Sequence, residues 1–265
     1  MLQTFRKAFQ IEDIRRKILY TLAMLFVVRL GSQLPTPGVD PTYIQNFFAN
    51  QTGDSFNFFN AFTGGSFETM SIFALSITPY ITSSIIMQLL TIAIPKLEEM
   101  QKDGEDGRKK IAEYTRYLTV GLALFESCAM AVGLGGKGLL LEDHRNIWGY
   151  LTVVAAMTAG SALLMWIGER ITDNGVGNGI SIVLLINIVS GTPQDMMTLY
   201  ERFMAGKSVA VATVACIIVL AIIIAIFVFV IILNDAERRI PVQYSKKMQG
   251  RRMIGGQSTY IPLKV

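Results

Sequence analysis

Long uncharged apolar segments are the feature of this sequence that most restricts its fold. Met70 to Ile94 contains no Asp, Glu, Lys or Arg in 25 residues, and Ser208 to Leu233 contains none in 26. A helix needs ~20 residues at 1.5 Å each to cross ~30 Å of hydrocarbon. Charged residues make up only 17% of the chain, against about 25% in soluble domains. The pattern predicts an all-α, polytopic membrane protein.

Six such segments follow one another along the chain. They are Ile18–Leu34, Met70–Ile94, Tyr117–Leu134, Ile147–Ile167, Gly179–Ser190 and Ser208–Leu233. The second, fourth and sixth are long enough to span a bilayer. The first and third are long enough if their single charges, Arg29 and Glu126, are accommodated. The fifth is too short unless its helix continues into the flanking residues. We therefore expect about six transmembrane helices.

The basic residues between these segments predict the orientation of the chain. Alternate connections carry 19 Lys and Arg on one side of the membrane and four on the other. Cytoplasmic connections are enriched in Lys and Arg, so the N-terminus and the C-terminal tail are both expected in the cytoplasm. Two ends on one side require an even number of spans, which agrees with six.

Motifs for covalent chemistry are incomplete in this sequence. Gly206-Lys207-Ser208 resembles the end of a phosphate-binding loop, but Glu201 occupies the position of its required first glycine. His144 is the only histidine, and Cys128 and Cys216 lie in apolar segments. We therefore expect no catalytic residues, no metal site and no cofactor.

Several polar features have two interpretations each. Asn57–Thr69 is rich in phenylalanine and predicts either a surface loop or a re-entrant element. Pro79 can kink its helix, and the polar residues around it either pack helices together or face an aqueous path. Arg29 either snorkels to the membrane interface or has a partner, whereas Glu126 is expected to face protein or water.

The hydrophilic tail, residues 234–265, carries three pairs of basic residues. Two strands around a turn with a basic tip are expected there. The tail is either an ordinary solvated loop that sets topology or, as its length favours, a docking surface for an acidic or RNA-bearing partner.

Five stretches of the chain, taken in order, resemble the SecY family of protein-conducting channels. They are residues 29–40, 59–90, 96–119, 165–182 and 238–265, which include FNAFTGGSFETMSIFALSITPYITSSIIMQLL, MWIGERITDNGVGNGISI and RRIPVQYSKKMQGRRMIGGQSTYIPLKV. The resemblance implies ten helices in two pseudo-symmetric halves around an hourglass pore. It divides this chain into a cytosolic arm (1–17), a first five-helix half (18–207), a sixth transmembrane helix (208–233) and a cytosolic basic loop (234–265).

The same resemblance implies roles for particular residues. Ile77, Ile81 and Leu184 correspond to pore-ring positions. Residues 57–70 correspond to a half-length plug helix, which contains Phe62, Thr63, Gly64, Gly65, Ser66 and Phe67. Thr82 and Glu126 correspond to the lateral gate, where the family usually carries Gln in place of Glu126. The expected partner-binding residues of the loop are Arg238, Arg239, Lys246, Lys247, Arg251 and Arg252.

The resemblance also implies a function and partners. A channel of this family passes secretory polypeptides across the membrane and releases membrane helices into the lipid. Its expected partners are SecE, SecG, the SecA motor or the ribosome with its rRNA, signal sequences, nascent chains and lipids, in a bacterial-type plasma membrane. Two rival classes are a secondary transporter, which would bind its substrate near the bilayer midplane, and an intramembrane enzyme.

Overall fold

The computed structural model describes residues 9–40, 42–43, 46–47, 60–135, 138, 140–141, 145–242, 247–249, 252–254 and 259–264. Over this part of the chain the fold consists mainly of helices. They are α1 (Glu12–Ser32), α2 (Thr78–Ala93), α3 (Pro95–Lys102), α4 (Glu105–Leu134), α5 (Ile147–Asn174), α6 (Gly179–Phe203) and α7 (Val209–Asn234). Four short strands follow in the tail: β1 (Glu237–Val242), β2 (Lys247–Gln249), β3 (Arg252–Ile254) and β4 (Thr259–Lys264). The predicted all-α class is confirmed.

Within the described residues, three helices are long and apolar enough to cross a membrane. They are α5, α6 and the Ala210–Asn234 part of α7, and the bent pair α2 and α3 makes a fourth if it counts as one span. The helix α6 continues past Ser190 to Phe203, with Pro193 inside it. The fifth apolar segment therefore lies in a helix that is long enough to cross the membrane. The multi-pass character is therefore confirmed, while the number six stays a prediction because α1 and α4 include charged turns.

The second apolar segment is helical over only part of its length. Residues 71–77 form turns, and α2 begins at Thr78 and has 16 residues, about 24 Å of helix. Pro79 lies in the first turn of α2, where no helical hydrogen bond is lost. The expected kink at Pro79 is therefore wrong. The sharp bend comes later, where Pro95 opens α3 at 102° to α2.

Two exposed tryptophans mark the depth of α5 in the membrane. Trp148 is 76% exposed and Trp166 is 46% exposed. They are 18 residues apart, which corresponds to about 27 Å along a helix. Tryptophan side chains concentrate at the two membrane interfaces. The spacing therefore matches a helix that crosses the bilayer between these two residues.

The chain divides into two compact units, Met1–Pro193 and Gln194–Val265. In the first unit α4 packs on α5 and on α2, and α1 packs on α5. A hydrogen bond of 2.9 Å joins Ser127 Oγ on α4 to Thr158 Oγ1 on α5, a common device for joining helices in lipid. The first unit is therefore a bundle of closely packed helices.

A four-residue turn, residues 175–178, joins α5 to α6. The amide of Val176 donates to Thr21 Oγ1 on α1 at 3.1 Å, and the amide of Gly179 donates to Thr172 Oγ1 at 2.9 Å. Asn178 Oδ1 accepts from the first amides of α6, as an N-cap residue does. A Cβ at Gly179 would lie 2.0 Å from the carbonyl oxygen of Gly168. Glycine is required there because two backbones meet, and the tight turn expected from the Asn and Gly residues is confirmed.

The second unit contains the end of α6, α7 and the tail strands. The strands β1 and β4 pair antiparallel, and they enclose the antiparallel pair of β2 and β3. Four strands are therefore present where two were expected. Arg239 lies over the Tyr260 ring, with the guanidinium carbon 4.6 Å from the ring centroid. This contact joins the two outer strands.

Candidate functional site

A stretch of backbone, residues 60–77, that is helical only over its first four residues lies against the helices of the first unit. We call it the buried segment. Residues 60–63 are helical and residues 64–77 form turns. A Cβ on Gly160 of α5 would lie 2.1 Å from the carbonyl oxygen of Ile72, so the backbone of the buried segment rests directly on that helix. Gly160 falls between Trp148 and Trp166, which places the contact at membrane depth.

Backbone groups of the buried segment are satisfied by the residues that follow α1. Thr36 N donates to Met70 O at 2.9 Å, and Ile72 N donates to Leu34 O at 3.0 Å. Backbone outside regular structure survives at membrane depth only where protein or water satisfies its polar groups. Protein groups therefore satisfy the backbone of the buried segment. This favours the re-entrant element over the surface loop, the two structures that the sequence allowed.

The plug helix expected over residues 57–70 is helical only to Thr63 in the described residues, and residues 57–59 lie outside them. Gly64 and Gly65 follow with φ of +64° and +84°. This left-handed conformation ends a helix and suits glycine. Phe62 and Thr63 are thus helical, whereas Gly64, Gly65, Ser66 and Phe67 form turns.

Two residues of the buried segment hold strained backbone. Met70 has φ of +43° and Ser76 has φ of +52°, and both side chains are fully buried. A non-glycine residue in this region costs roughly 1–3 kcal/mol and persists only where the surroundings impose it. The packing around the buried segment therefore maintains a conformation that its local sequence disfavours.

A buried polar cluster joins the end of the buried segment to two helices. Asn187 on α6 is 2% exposed, and its Nδ2 donates to Ser76 Oγ at 3.2 Å. Ser161 Oγ on α5 donates to the Ser76 carbonyl oxygen at 3.3 Å. Asn187 Oδ1 has no partner among the described residues. Residue type alone does not predict the link between Asn187 and Ser76, because 111 residues separate them.

The other end of the buried segment meets α1 and α6 at Gly64. Arg29 Nη1 donates to the Gly64 carbonyl oxygen at 3.5 Å. A Cβ added to Gly64 would lie 2.6 Å from the Asn187 carbonyl oxygen and 2.8 Å from Ser190 Oγ. Arg29 is half-buried and has this partner inside the protein, as the second interpretation of Arg29 expected, while its snorkelling to the interface stays a prediction.

The three predicted pore-ring residues have different surroundings. Ile77 is 1% exposed and belongs to an apolar cluster with Val28, Leu164 and Val183, against which Ile81 packs. Leu184 is half-buried and lies outside that cluster. The structure therefore brings Ile77 and Ile81 into one apolar cluster, of which Leu184 is not a member.

Two cavities of the first unit share no lining residue. One of about 360 Å³ is bounded by Ile81 and by the ion pair of Arg116 Nε and Glu169 Oε1, which are 2.8 Å apart. The other, of about 500 Å³, is bounded by Thr78, Phe67 and other residues of the buried segment. Ile77 lies on the wall of neither.

Glu126 lies on the wall of the second cavity, half-buried, as its position within an apolar segment led us to expect. Thr82 is exposed and does not line that cavity, whereas Thr78, one turn earlier on α2, does. The two predicted gate residues are therefore not brought onto one cavity wall by the described part of this chain.

The basic residues of the tail are described unevenly. Arg238 and Arg239 are exposed on β1. Lys247 and Arg252 are described by their backbone pairing in β2 and β3, while Lys246 and Arg251 lie outside the described residues. His144 also lies outside them, and the described residues contain no group of three His, Cys, Asp or Glu side chains that could hold a metal ion.

Comparison with known proteins gives one consistent result. The family model described as SecY matches residues 71–265. Protein translocase subunit SecY of Streptomyces galbus is 44% identical over 277 residues, an alignment that covers 100% of this chain and 62% of the relative. The same subunit of Corynebacterium glutamicum is 43% identical over 268 residues, with 98% and 59% covered. The chain thus spans about three-fifths of the length of the curated relatives that it matches.

Solved structures show the same fold. A chain described under "The structure of a protein conducting channel" matches with a TM-score of 0.53 and 18% identity, covering 94% of this chain and 52% of that one. Sec61 in the canine ribosome–channel complex from the endoplasmic reticulum matches with a TM-score of 0.51 and 18% identity, covering 86% and 49%. Since the family model covers most of the sequence and the fold agrees with it, the chain belongs to the SecY family.

Proposed function

We propose that this chain forms the larger part of a protein-conducting channel, which passes secretory polypeptides across the membrane and releases membrane helices sideways into the lipid. The observation that carries the proposal is the buried segment. It brings irregular backbone to membrane depth and ends at Ile77, a fully buried apolar residue. Family membership and the names of the relatives support the same function.

The proposed seal consists of aliphatic side chains. Ile77, Ile81 and Leu184 would contribute three positions of a ring that the rest of the protein completes. A narrow apolar constriction excludes water and ions by dewetting, yet it forms no specific bond with a passing polypeptide. The complete burial of Ile77 supports this arrangement, because a closed constriction keeps its side chains out of water.

The proposed plug is the first part of the buried segment. Phe62, Thr63, Gly64, Gly65, Ser66 and Phe67 are its members. Thr63 and Phe67 line the cavity that also contains Glu126. A polypeptide that enters this cavity would therefore have to displace them. Thr82 and Glu126 are proposed as gate residues, since Glu126 offers a polar group on an otherwise apolar wall.

The basic tail is the proposed docking surface on the cytoplasmic side. Its six members are Arg238, Arg239, Lys246, Lys247, Arg251 and Arg252. Dense positive charge favours rRNA phosphates or acidic protein surfaces, and the canine relative was solved in a ribosome–channel complex. The ribosome and SecA are proposed partners here. SecE and SecG are proposed as membrane partners, with the channel in a bacterial plasma membrane and its N-terminus in the cytoplasm.

The chain is proposed to catalyse no covalent chemistry, so the energy for transport would come from a partner. The division of the chain follows the proposal: residues 1–17 as a cytosolic arm, 18–207 as the first half with the plug near 57–70, 208–233 as the sixth span and 234–265 as the docking loop.

The seal is tested by the double variant Ile77→Gly with Ile81→Gly in the full-length protein, reconstituted in lipid bilayers. We expect the closed channel to conduct ions, because two side chains of the constriction are removed. The matched control is Ile92→Gly, which changes an 80% exposed residue of the same helix and should leave the channel closed. Unchanged conductance in the double variant would refute the sealing role. Flux of a small solute without any signal sequence would instead support a transporter.

A further inference from the structure

The buried segment is fixed by polar contacts at both of its ends. At Gly64 the contact is with Arg29 of α1, whose Nη1 donates to the Gly64 carbonyl oxygen at 3.5 Å. At Ser76 it is with Asn187 of α6, whose Nδ2 donates to Ser76 Oγ at 3.2 Å. Both contacts join the buried segment to helices that are distant in sequence. Together they are suited to hold the segment in place.

Asn187 is close to both ends of the buried segment. Its side chain binds Ser76, and its backbone carbonyl oxygen would lie 2.6 Å from a Cβ at Gly64. Ser190 Oγ donates to the same carbonyl oxygen at 2.6 Å. One turn of α6 therefore touches the beginning and the end of the turns between Gly64 and Ser76.

The backbone between these contacts is strained. Met70 and Ser76 have positive φ, and such residues return to ordinary conformations once the surroundings release them. The contacts of Arg29 and Asn187 are long for hydrogen bonds, at 3.5 Å and 3.2 Å. The Asn187 residue is 2% exposed, and its Oδ1 has no hydrogen bond within the described part of the chain. A strained element whose contacts at both ends are long can adopt a second arrangement at low cost.

We propose that Arg29 and Asn187 form a latch that keeps the buried segment in the closed position, and that the segment leaves this position when the latch opens. The latch rests on the proposed function, because a closed position has meaning only for a channel. Arg29 and Asn187 are positioning residues in this proposal. They hold the backbone of the buried segment and contact no transported chain.

Neighbouring glycines provide a matched test of the latch. Gly64→Ala and Gly65→Ala both place a side chain at positive φ, so they share the cost of that conformation. Only the Gly64 substitution adds a clash, because a Cβ at Gly65 has nothing within 4 Å. The clash is with the backbone of α6, which cannot yield as a flexible side chain would. Gly64→Ala should therefore open the latch, and Gly65→Ala should not.

The reporter is a single cysteine at Ser66, a residue that is 2% exposed in the closed structure. It is introduced into full-length protein in which Cys128 and Cys216 are replaced by alanine. Its rate of reaction with a membrane-impermeant maleimide measures how often the buried segment leaves its place. We expect Gly64→Ala to raise that rate about tenfold or more over Gly65→Ala. Equal rates in the two variants would overturn the latch.

A gentler pair of variants keeps the test decisive if Gly64→Ala fails to insert into membranes. Ser76→Ala removes the acceptor of Asn187, whereas Ser83→Ala removes a buried serine whose Oγ bonds to Pro79 O of its own helix at 2.7 Å. Loss of one hydrogen bond should raise the maleimide rate roughly threefold to tenfold for Ser76→Ala alone. Equal rates for these two variants would also overturn the proposal.

The maleimide assay needs only membrane-inserted protein, whereas polypeptide transport is measured separately. If the wild-type protein transports polypeptides and the maleimide rates are equal within both pairs of variants, the latch is refuted. The proposed channel function is then unaffected. If the maleimide rates differ within the pairs as expected but the wild-type protein transports no polypeptide, the channel function is refuted. The latch is then also refuted as a device that closes a channel.

Discussion

Replacing Gly160 by alanine should loosen the seat of the buried segment on α5. The added Cβ would lie 2.1 Å from the carbonyl oxygen of Ile72 and 2.7 Å from its Cγ2. Both elements meet through their backbones, so one of them has to move by about 1 Å to restore ordinary contact. Overpacking of this kind costs about 1–3 kcal/mol, and the upper end applies because no side chain can rotate away.

Alanine also favours the helix, by about 1 kcal/mol relative to glycine. The net destabilisation expected for Gly160→Ala is therefore ~2 kcal/mol. Gly121→Ala on α4 is the matched control, since its Cβ would meet nothing within 4 Å. The control variant gains only the helix propensity of alanine, about 1 kcal/mol. The two variants should therefore differ by about 3 kcal/mol in the free energy of unfolding.

Thermal unfolding in detergent, followed by the fluorescence of Trp148 and Trp166, measures this difference. For a unit of this size, 1 kcal/mol shifts the midpoint by about 2–4 °C. The midpoint of Gly160→Ala should therefore lie roughly 6–12 °C below that of Gly121→Ala. Equal midpoints would show that the backbone of Ile72 is not seated on α5, and the account of the buried segment would fail with it.

Three further changes test the docking surface, the gate and the ion pair. Arg251→Glu with Arg252→Glu should weaken binding to the ribosome and to SecA, measured at low salt, with little effect on folding, because the change reverses charge in a hydrophilic loop. Glu126→Gln should be tolerated and should change the export of proteins with defective signal sequences, because Glu126 lines the cavity beside the buried segment. Glu169→Gln should cost at most about 1 kcal/mol of stability, since its partner Arg116 is about half exposed.

Each of these has an internal control. Reversal of the exposed pair Lys109 and Lys110 changes the net charge equally, so equal binding losses for both pairs would remove the special role of the tail. An export profile identical to that of the parent would remove Glu126 from the gate. Arg116→Gln should lose as much stability as Glu169→Gln, and the double variant should lose no more; additive losses would show that the two side chains are not coupled.

Sequence patterns predicted the features that depend on composition. Uncharged apolar runs predicted membrane helices because lipid offers charged groups no solvent. The turn between α5 and α6 was predictable because Asn and Gly have specific conformational roles there. Gly179–Ser190 is long enough to span the membrane only if its helix continues into the flanking residues. The sequence did not decide whether it does, and the structure extends α6 to Phe203.

The buried segment could not be predicted in detail, for a physical reason. Met70 to Ile77 is as apolar as a transmembrane helix, and hydropathy does not distinguish a buried turn from a buried helical turn. The deciding contacts come from far along the chain: Gly160 leaves room for Ile72, and Asn187 binds Ser76. The partner of Arg29 was missed likewise, because it is a backbone carbonyl and leaves no mark in the residue type.

The two tryptophans of α5 connect the buried segment to the lipid itself. A hydrocarbon layer thinner than the spacing of Trp148 and Trp166 produces hydrophobic mismatch, which a helix relieves by increasing its tilt. Gly160 is part of the same helix, so any change of tilt moves the surface on which Ile72 rests. We therefore expect acyl-chain length to act on the position of the buried segment through the geometry of a single helix.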